Sequence, residues 1–180
     1  VSYAKSATNS NEDYQIVLPA TGKTPEKSVN MEYFLELFGY WISDGWARIC
    51  TRNRPNRKTQ TTDYIIEIAQ VKPDDRERLI EIIKLLGHTP TLHGPATIQI
   101  VNRQLCEFLH PLSVGAPNKY LPDWVWKLST KQVQWLYNGL RRGDGTVTNK
   151  GCDVYYTSSI KLANDSYVNN LYLDLISFFI

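Results

Sequence analysis

A short pattern occurs twice in this chain. Leu37-Phe38-Gly39-Tyr40-Trp41-Ile42-Ser43-Asp44-Gly45 aligns with Tyr137-Asn138-Gly139-Leu140-Arg141-Arg142-Gly143-Asp144-Gly145, with Gly, Asp and Gly in register. Such a repeat constrains the fold more tightly than composition does. Glycine inside a helix costs about 1 kcal/mol against alanine, so its duplication points to a second backbone coming close at each site. Two helices crossing through Gly39 and Gly139 would deliver Asp44 and Asp144 side by side at one end. A carboxylate at a helix C-terminus is disfavoured by about 0.3–1 kcal/mol. Two together repel unless they share a divalent cation, which takes oxygen ligands. A single Asp-Gly would be an ordinary helix-ending turn, and its duplication in register argues against that reading.

The segments around the repeat form a consistent series. Asn30 is a suitable N-cap for a helix through MEYFLELFGYWIS, apolar around nearly its whole circumference and so destined for the interior. Strand-like sequence follows from Trp46 to Thr51, then the turn-rich RNRPNRKTQ, then alternating apolar residues from Thr61 to Gln70, which together predict a hairpin with a long tip. Pro73, Asp74 and Asp75 open an amphipathic helix that Gly87 closes. Two short strands around Thr89–Leu92 and Ala96–Val101 and a helix from Arg103 to Leu109 complete an αββαββα order. After a loop holding Asn118-Lys119-Tyr120-Leu121-Pro122 and a short helix around Trp124–Leu128, a helix from Ser129 or Thr130 restarts the pattern, with a hairpin and a helix behind it. The five tryptophans, Trp41, Trp46, Trp124, Trp126 and Trp135, read as core or interface packing.

Charge gives no global signal, because 20 basic and 18 acidic residues leave a formal net charge of +2. The local signal is stronger. The window Trp46–Gln60 carries Arg48, Arg52, Arg54, Arg57 and Lys58 with no acidic residue, interleaved with Asn53, Asn56, Thr59 and Gln60. Arginine suits guanine edges, amides suit adenine, and a two-stranded ribbon fits the major groove. The second hairpin carries Lys150 at its turn and is shorter, so recognition is expected to be asymmetric. Cys50, Cys106 and Cys152 form no metal spacing and read as reduced thiols of an intracellular, non-secreted protein. No apolar run reaches the ~20 residues needed to span a bilayer, so no membrane partner is expected.

The paired helix-Gly-x-x-x-x-Asp-Gly motifs, the hairpin after each, and the Asn-Lys-x-Leu-Pro segment before the second copy resemble the LAGLIDADG homing endonucleases, particularly those carried in inteins. The resemblance runs from about Asn30 to the end of the chain. It implies an α+β LAGLIDADG fold, with one αββαββα lobe and a second, truncated lobe related to it by a pseudo-two-fold axis. It also implies Mg²⁺-dependent (or Mn²⁺-dependent) site-specific cleavage of double-stranded DNA by a mobile genetic element. On that resemblance Asp44 and Asp144 are the catalytic carboxylates and bind metal with the carbonyls of Ser43 and Gly143. Lys119 is the basic active-site residue, and Gln70 helps to orient water, with Ser159 as its counterpart. The residue types suit phosphodiester hydrolysis in their own right, which needs a positioned water, neutralised phosphate oxygens and a stabilised leaving oxygen.

Residues 1–30 read as a lead-in or linker with one strand on Ile16-Val17-Leu18, or the tail of an intein splicing domain, 31–128 as the first lobe and 129–180 as an incomplete second. The chain after Ser159 is less than half as long as the run from Gln70 to Lys119, so a second lobe would need the remainder of a split or truncated polypeptide. Arg141 and Arg142 stand where the family has apolar, small or acidic residues, which predicts a looser crossing on that side. No N-terminal Cys or Ser and no terminal His-Asn pair is present, so this chain alone is not expected to splice. The alternative reading is a catalytically impaired nucleic-acid-binding module of the same fold, maturase-like or regulatory.

Overall fold

The computed structural model describes residues 13–52, 60–147, 149 and 153–171. Helix α1 (Met31–Asp44) begins at Asn30, whose side chain accepts from the Glu32 and Tyr33 amides. Its residues Phe34, Leu35, Leu37, Phe38, Tyr40, Trp41 and Ile42 are all buried, as the unbroken apolar circumference demands. Gly45 ends it in an extended conformation, so the chain passes directly into a strand.

Strands β3 (Gly45–Arg52) and β4 (Thr61–Ala69), helix α2 (Pro73–Leu85), strands β5 (Pro90–His93) and β6 (Thr97–Val101), and helix α3 (Arg103–Leu109) follow in the order αββαββα. The strands form one antiparallel sheet in the order β3-β4-β6-β5. Ala47, Ile66, Ile68, Ile98 and Ile100 line its buried face, and Trp46, Arg48, Glu67 and Gln99 alternate with them on the other.

The restart is helix α4 (Thr130–Asp144), strands β7 (Gly145–Val147) and β8 (Asp153–Tyr155) and helix α5 (Ile160–Leu171). Helices α1 and α4 cross where the repeated glycines predict. A Cβ on Gly39 would lie 2.5 Å from the Leu140 amide nitrogen, and one on Gly139 would lie 2.1 Å from the Glu36 carbonyl oxygen. Arg141 and Arg142 do not loosen this crossing. Arg142 reaches out to Asp75 at 2.9 Å and Glu36 at 3.7 Å, and Arg141 pairs with Asp153 at 3.0 Å, so both guanidinium groups leave the helix contact to the small residues.

The segment spanning residues 13–29 is built into the fold. Two-residue strands β1 (Val17–Leu18) and β2 (Lys27–Ser28) pair, and Ile16, Leu18 and Val29 are buried. Two buried amides tie it down. Gln104 donates to the carbonyls of Leu18, Pro19 and Pro25, and Gln132 exchanges hydrogen bonds with both backbone groups of Tyr14. The apolar run Ile16-Val17-Leu18 marks one strand in the sequence and is met by β1, whereas the pairing with β2 and the hold of the two amides carry no sequence signal.

Candidate active site

The crossing brings the two repeated aspartates together at the C-terminal ends of α1 and α4. The carboxyl groups of Asp44 and Asp144 lie within interacting distance of each other. Burial first, then the neighbouring Asp44 charge and hydrogen bonding to it, push Asp144 up to about 6, against the opposing pull of Lys119 and Lys72. Among the described residues no group of three or more acidic, histidine or cysteine side chains forms a metal cluster, so the oxygen donors here are two carboxylates and the carbonyls around them.

Backbone oxygens at both helix ends face lysines. Lys119 donates to the Ser43 carbonyl, and burial lowers its proton affinity while Asp44 and Asp144 raise it. Lys72 donates to the carbonyls of Gly145 at 2.8 Å and Gly143 at 3.4 Å. Two cations, both from the first repeat, thus grip the ends of the two crossed helices, where the partial negative charge of each helix dipole concentrates. Sequence reasoning missed Lys72. Its one signal is a cation at the N-cap of α2, without a side-chain capping bond and on the unfavourable end of that helix's dipole.

Gln70 is buried and uses both ends of its amide. It donates to the Arg142 carbonyl at 2.9 Å and accepts from the Lys72 amide at 3.0 Å. The side chain therefore fixes the end of α4 and the backbone that bears Lys72. Ser43 donates to the Gly39 carbonyl, which leaves its hydroxyl oxygen to accept from the Tyr155 hydroxyl at 3.0 Å. Tyr155, whose hydroxyl burial holds in the protonated form, was not anticipated as a site residue.

Strand register corrects one assignment. Gly145 lies opposite Tyr155 as Gly45 lies opposite Ile68, and each following helix begins the same distance on. Ser159 is therefore the positional equivalent of Lys72, and Thr157 that of Gln70. The expected pairing of Gln70 with Ser159 is thus two residues out of register.

Of the expected DNA contacts, Arg48 and Arg52 lie on the open face of the sheet, but each meets an acid from β4. Arg48 pairs with Glu67 at 3.3 Å, and Arg52 with Asp63 at 3.3 Å. Gln99 adds a hydrogen bond to Glu67 at 3.1 Å. The window read as free of acidic residues is so only along the chain, because the neighbouring strand supplies them. Gln60 is exposed. Arg54, Arg57, Lys58 and Lys150 lie outside the described residues. Trp46, read as core, is 46% exposed on the same face.

No protein-family model matches the chain. It is 31% identical over 198 aligned residues to part of the DNA-directed RNA polymerase subunit beta C-terminal section of Stigeoclonium helveticum, an alignment covering 91% of this chain and 18% of that protein. It is 32% identical over 176 aligned residues to part of the ATP-dependent Clp protease proteolytic subunit of Chlamydomonas moewusii, covering 92% of this chain and 17% of that protein. The chain thus spans less than a fifth of these curated relatives. Among solved structures it is similar to I-DmoI bound to its target DNA in the presence of Mn, at TM-score 0.44 and 13% identity over 64% of this chain and 62% of that one. It is also similar to I-DmoI in complex with DNA and Ca, at 0.41 and 14% over 67% and 65%. The LAGLIDADG meganuclease I-CpaMI bound to uncleaved DNA gives 0.31 and 17% over 68% and 34%.

Proposed function

We propose that this chain is a LAGLIDADG homing endonuclease that cleaves double-stranded DNA at a long asymmetric site with a divalent cation, Mg²⁺ or Mn²⁺, and that it belongs to a mobile genetic element. One observation carries the reading: two acidic side chains meet at the ends of helices that cross on paired glycines. Carboxylates brought this close are held against their repulsion, and an oxygen-seeking cation is the species that offsets it.

The donor set fits such an ion. Asp44, Asp144 and the carbonyls of Ser43 and Gly143 are hard oxygen ligands, and the raised proton affinity of Asp144 is what a cation would relieve. When bound, the ion supplies Lewis-acid polarisation of the phosphate and a water made more acidic. The protein's own groups supply the rest. Lys119 and Lys72 set positive charge on either side of the carboxylates for the non-bridging phosphate oxygens. Gln70 holds the end of α4 in place, a positioning role in preference to direct contact with water.

The mobile-element reading draws support from the two curated relatives. Their names belong to unrelated machines, and the shared segment is under a fifth of each, as expected of an in-frame insertion such as an intein. A protein of this kind works inside the cell, and among the described residues no helix is long and apolar enough to cross a membrane. In the second repeat β8 pairs only with β7 among the described strands, whereas β4 has partners on both edges. We assign the completion of that lobe to a further stretch of polypeptide.

The test is cleavage of DNA spanning an uninterrupted host-gene junction. Asp44→Asn and Asp144→Asn should each lower Mg²⁺-dependent cleavage by at least about a hundredfold. Cleavage unchanged in both variants would take the pair out of the chemistry. Tight binding without cleavage by the parent would favour the maturase-like or regulatory module.

A further inference from the structure

Lys119 sits in irregular backbone. The stretch from Ser113 to Pro122 contains one short 3₁₀ turn (Ala116–Asn118) and a glycine, Gly115, in the left-handed region at φ 83°. Nothing regular in its own segment holds the lysine on the Ser43 carbonyl. The structure supplies that hold from the other repeat. The Ser159 hydroxyl donates to the Lys119 carbonyl at 2.6 Å. The Lys161 ammonium lies 4.4 Å from the centre of the Tyr120 ring. The Asp165 carboxylate accepts from the Leu121 amide at 3.0 Å and pairs with Lys161 at 3.4 Å. Three consecutive residues of the lysine loop are each held by the first turns of α5.

The chemistry of Ser159 ties the two events together. Its oxygen accepts from the Leu162 amide at 3.1 Å, so it caps α5 while its proton goes to Lys119. The side chain is fully buried, and a hydroxyl whose proton and one lone pair are both engaged is held in one orientation. Forming the first turn of α5 therefore sets the backbone that carries Lys119. Register adds a reason for serine here: this position is occupied in the first repeat by Lys72, which itself reaches the site, whereas Ser159 works on a lysine from another element.

We infer that the N-terminal turns of α5 form a clasp between the repeats, in which Ser159 and Asp165 are positioning residues that hold Lys119 beside the paired carboxylates. This rests on the nuclease reading for its consequence in cleavage, but not for the clasp itself. The α5 packing against the Ala116–Asn118 turn brings the two elements together, and the three polar contacts fix their register.

The experiment uses the full chain and two readouts. The first is acetylation of lysines by acetic anhydride, followed peptide by peptide with mass spectrometry, which needs neither DNA nor metal. Asp165→Ala and Ser159→Ala should each make Lys119 label several-fold faster while Lys72 labels as in the parent. Asp165→Asn, which keeps an oxygen acceptor for the Leu121 amide, should restore most of the protection. The second is single-turnover DNA cleavage, in which both alanine variants should lose on the order of tenfold in rate with DNA affinity unchanged. Lys119 labelling unaltered in both alanine variants would overturn the clasp. Faster labelling in the variants, with no cleavage even by the parent, would uphold the clasp and sink the nuclease reading. Should Ser159→Ala unfold, Asp165→Ala leaves the α5 cap intact and decides the matter alone.

Discussion

On the nuclease reading Asp144 is central to the chemistry, and its environment makes a signed prediction. An aspartate in an unfolded chain titrates near 4. In the folded protein, burial and Asp44 hold Asp144 at about 6, so between these values the folded state keeps a proton that the unfolded state has lost. The contribution of Asp144 to stability without cation must therefore fall as pH rises through this window and level off above it. Asp144→Asn removes the repulsion, and in EDTA at pH 7.5 it should stabilise the protein by roughly 1–2 kcal/mol. The gain should shrink towards zero below about pH 4. Thermal melts across pH 4 to 8 measure this, and a gain independent of pH would show that Asp144 is not under strain from its neighbour. Excess Mn²⁺ should raise the melting temperature of the parent but not that of Asp44→Asn or Asp144→Asn. The two aspartates were legible in the sequence because they are duplicated in register. Lys72 and Tyr155 were not, because each acts on a backbone or hydroxyl group of the opposite repeat, and that proximity exists only after folding.

At the scale of elements, the crossing of α1 and α4 is the joint that everything else presumes. A Cβ on Gly139 would fall 2.1 Å from a carbonyl oxygen, in a contact with backbone on both sides and no flexible side chain to move away. Gly139→Ala should cost at least about 3 kcal/mol in chemical denaturation or prevent folding outright. Gly94→Ala, where a Cβ meets nothing within 4 Å but φ is +67°, should cost only about 1 kcal/mol. Similar losses at the two positions would mean that α1 and α4 do not touch as described. The helices and the first hairpin could be read from the sequence because amphipathic spacing, Asn30, Pro73 and Gly87 mark their limits. The β1 and β2 strap could not, since what holds it is the amide of Gln104 meeting three carbonyls. Gln104→Leu should accordingly destabilise the protein by about 1–3 kcal/mol, because it orphans buried acceptors.

At the scale of the molecule, a formal charge of +2 cannot by itself draw in a polyanion, so the DNA affinity that the nuclease reading requires must come from where the charges are placed. The open face of the β3-β4-β6-β5 sheet does not present a bare cationic surface. Arg48 and Arg52 are each paired with a carboxylate, and Glu67 is further held by Gln99. Partly exposed pairs of this kind are worth about 0–1 kcal/mol to folding, so on the nuclease reading their main effect is on the field that a duplex would meet. A carboxylate beside a phosphate opposes binding, yet the same group accepts from a cytosine amino group and holds arginine in a fixed orientation, which favours sequence discrimination over affinity. Glu67→Gln should therefore leave stability within about 1 kcal/mol of the parent. It should tighten binding to random duplexes more than to the cognate site, and steepen the dependence of log Kd on log salt by up to about one. Fluorescence anisotropy over a salt series, with cognate and scrambled duplexes side by side, measures both quantities. Equal changes on the two duplexes would mean that Glu67 lowers affinity for any DNA and reads no base.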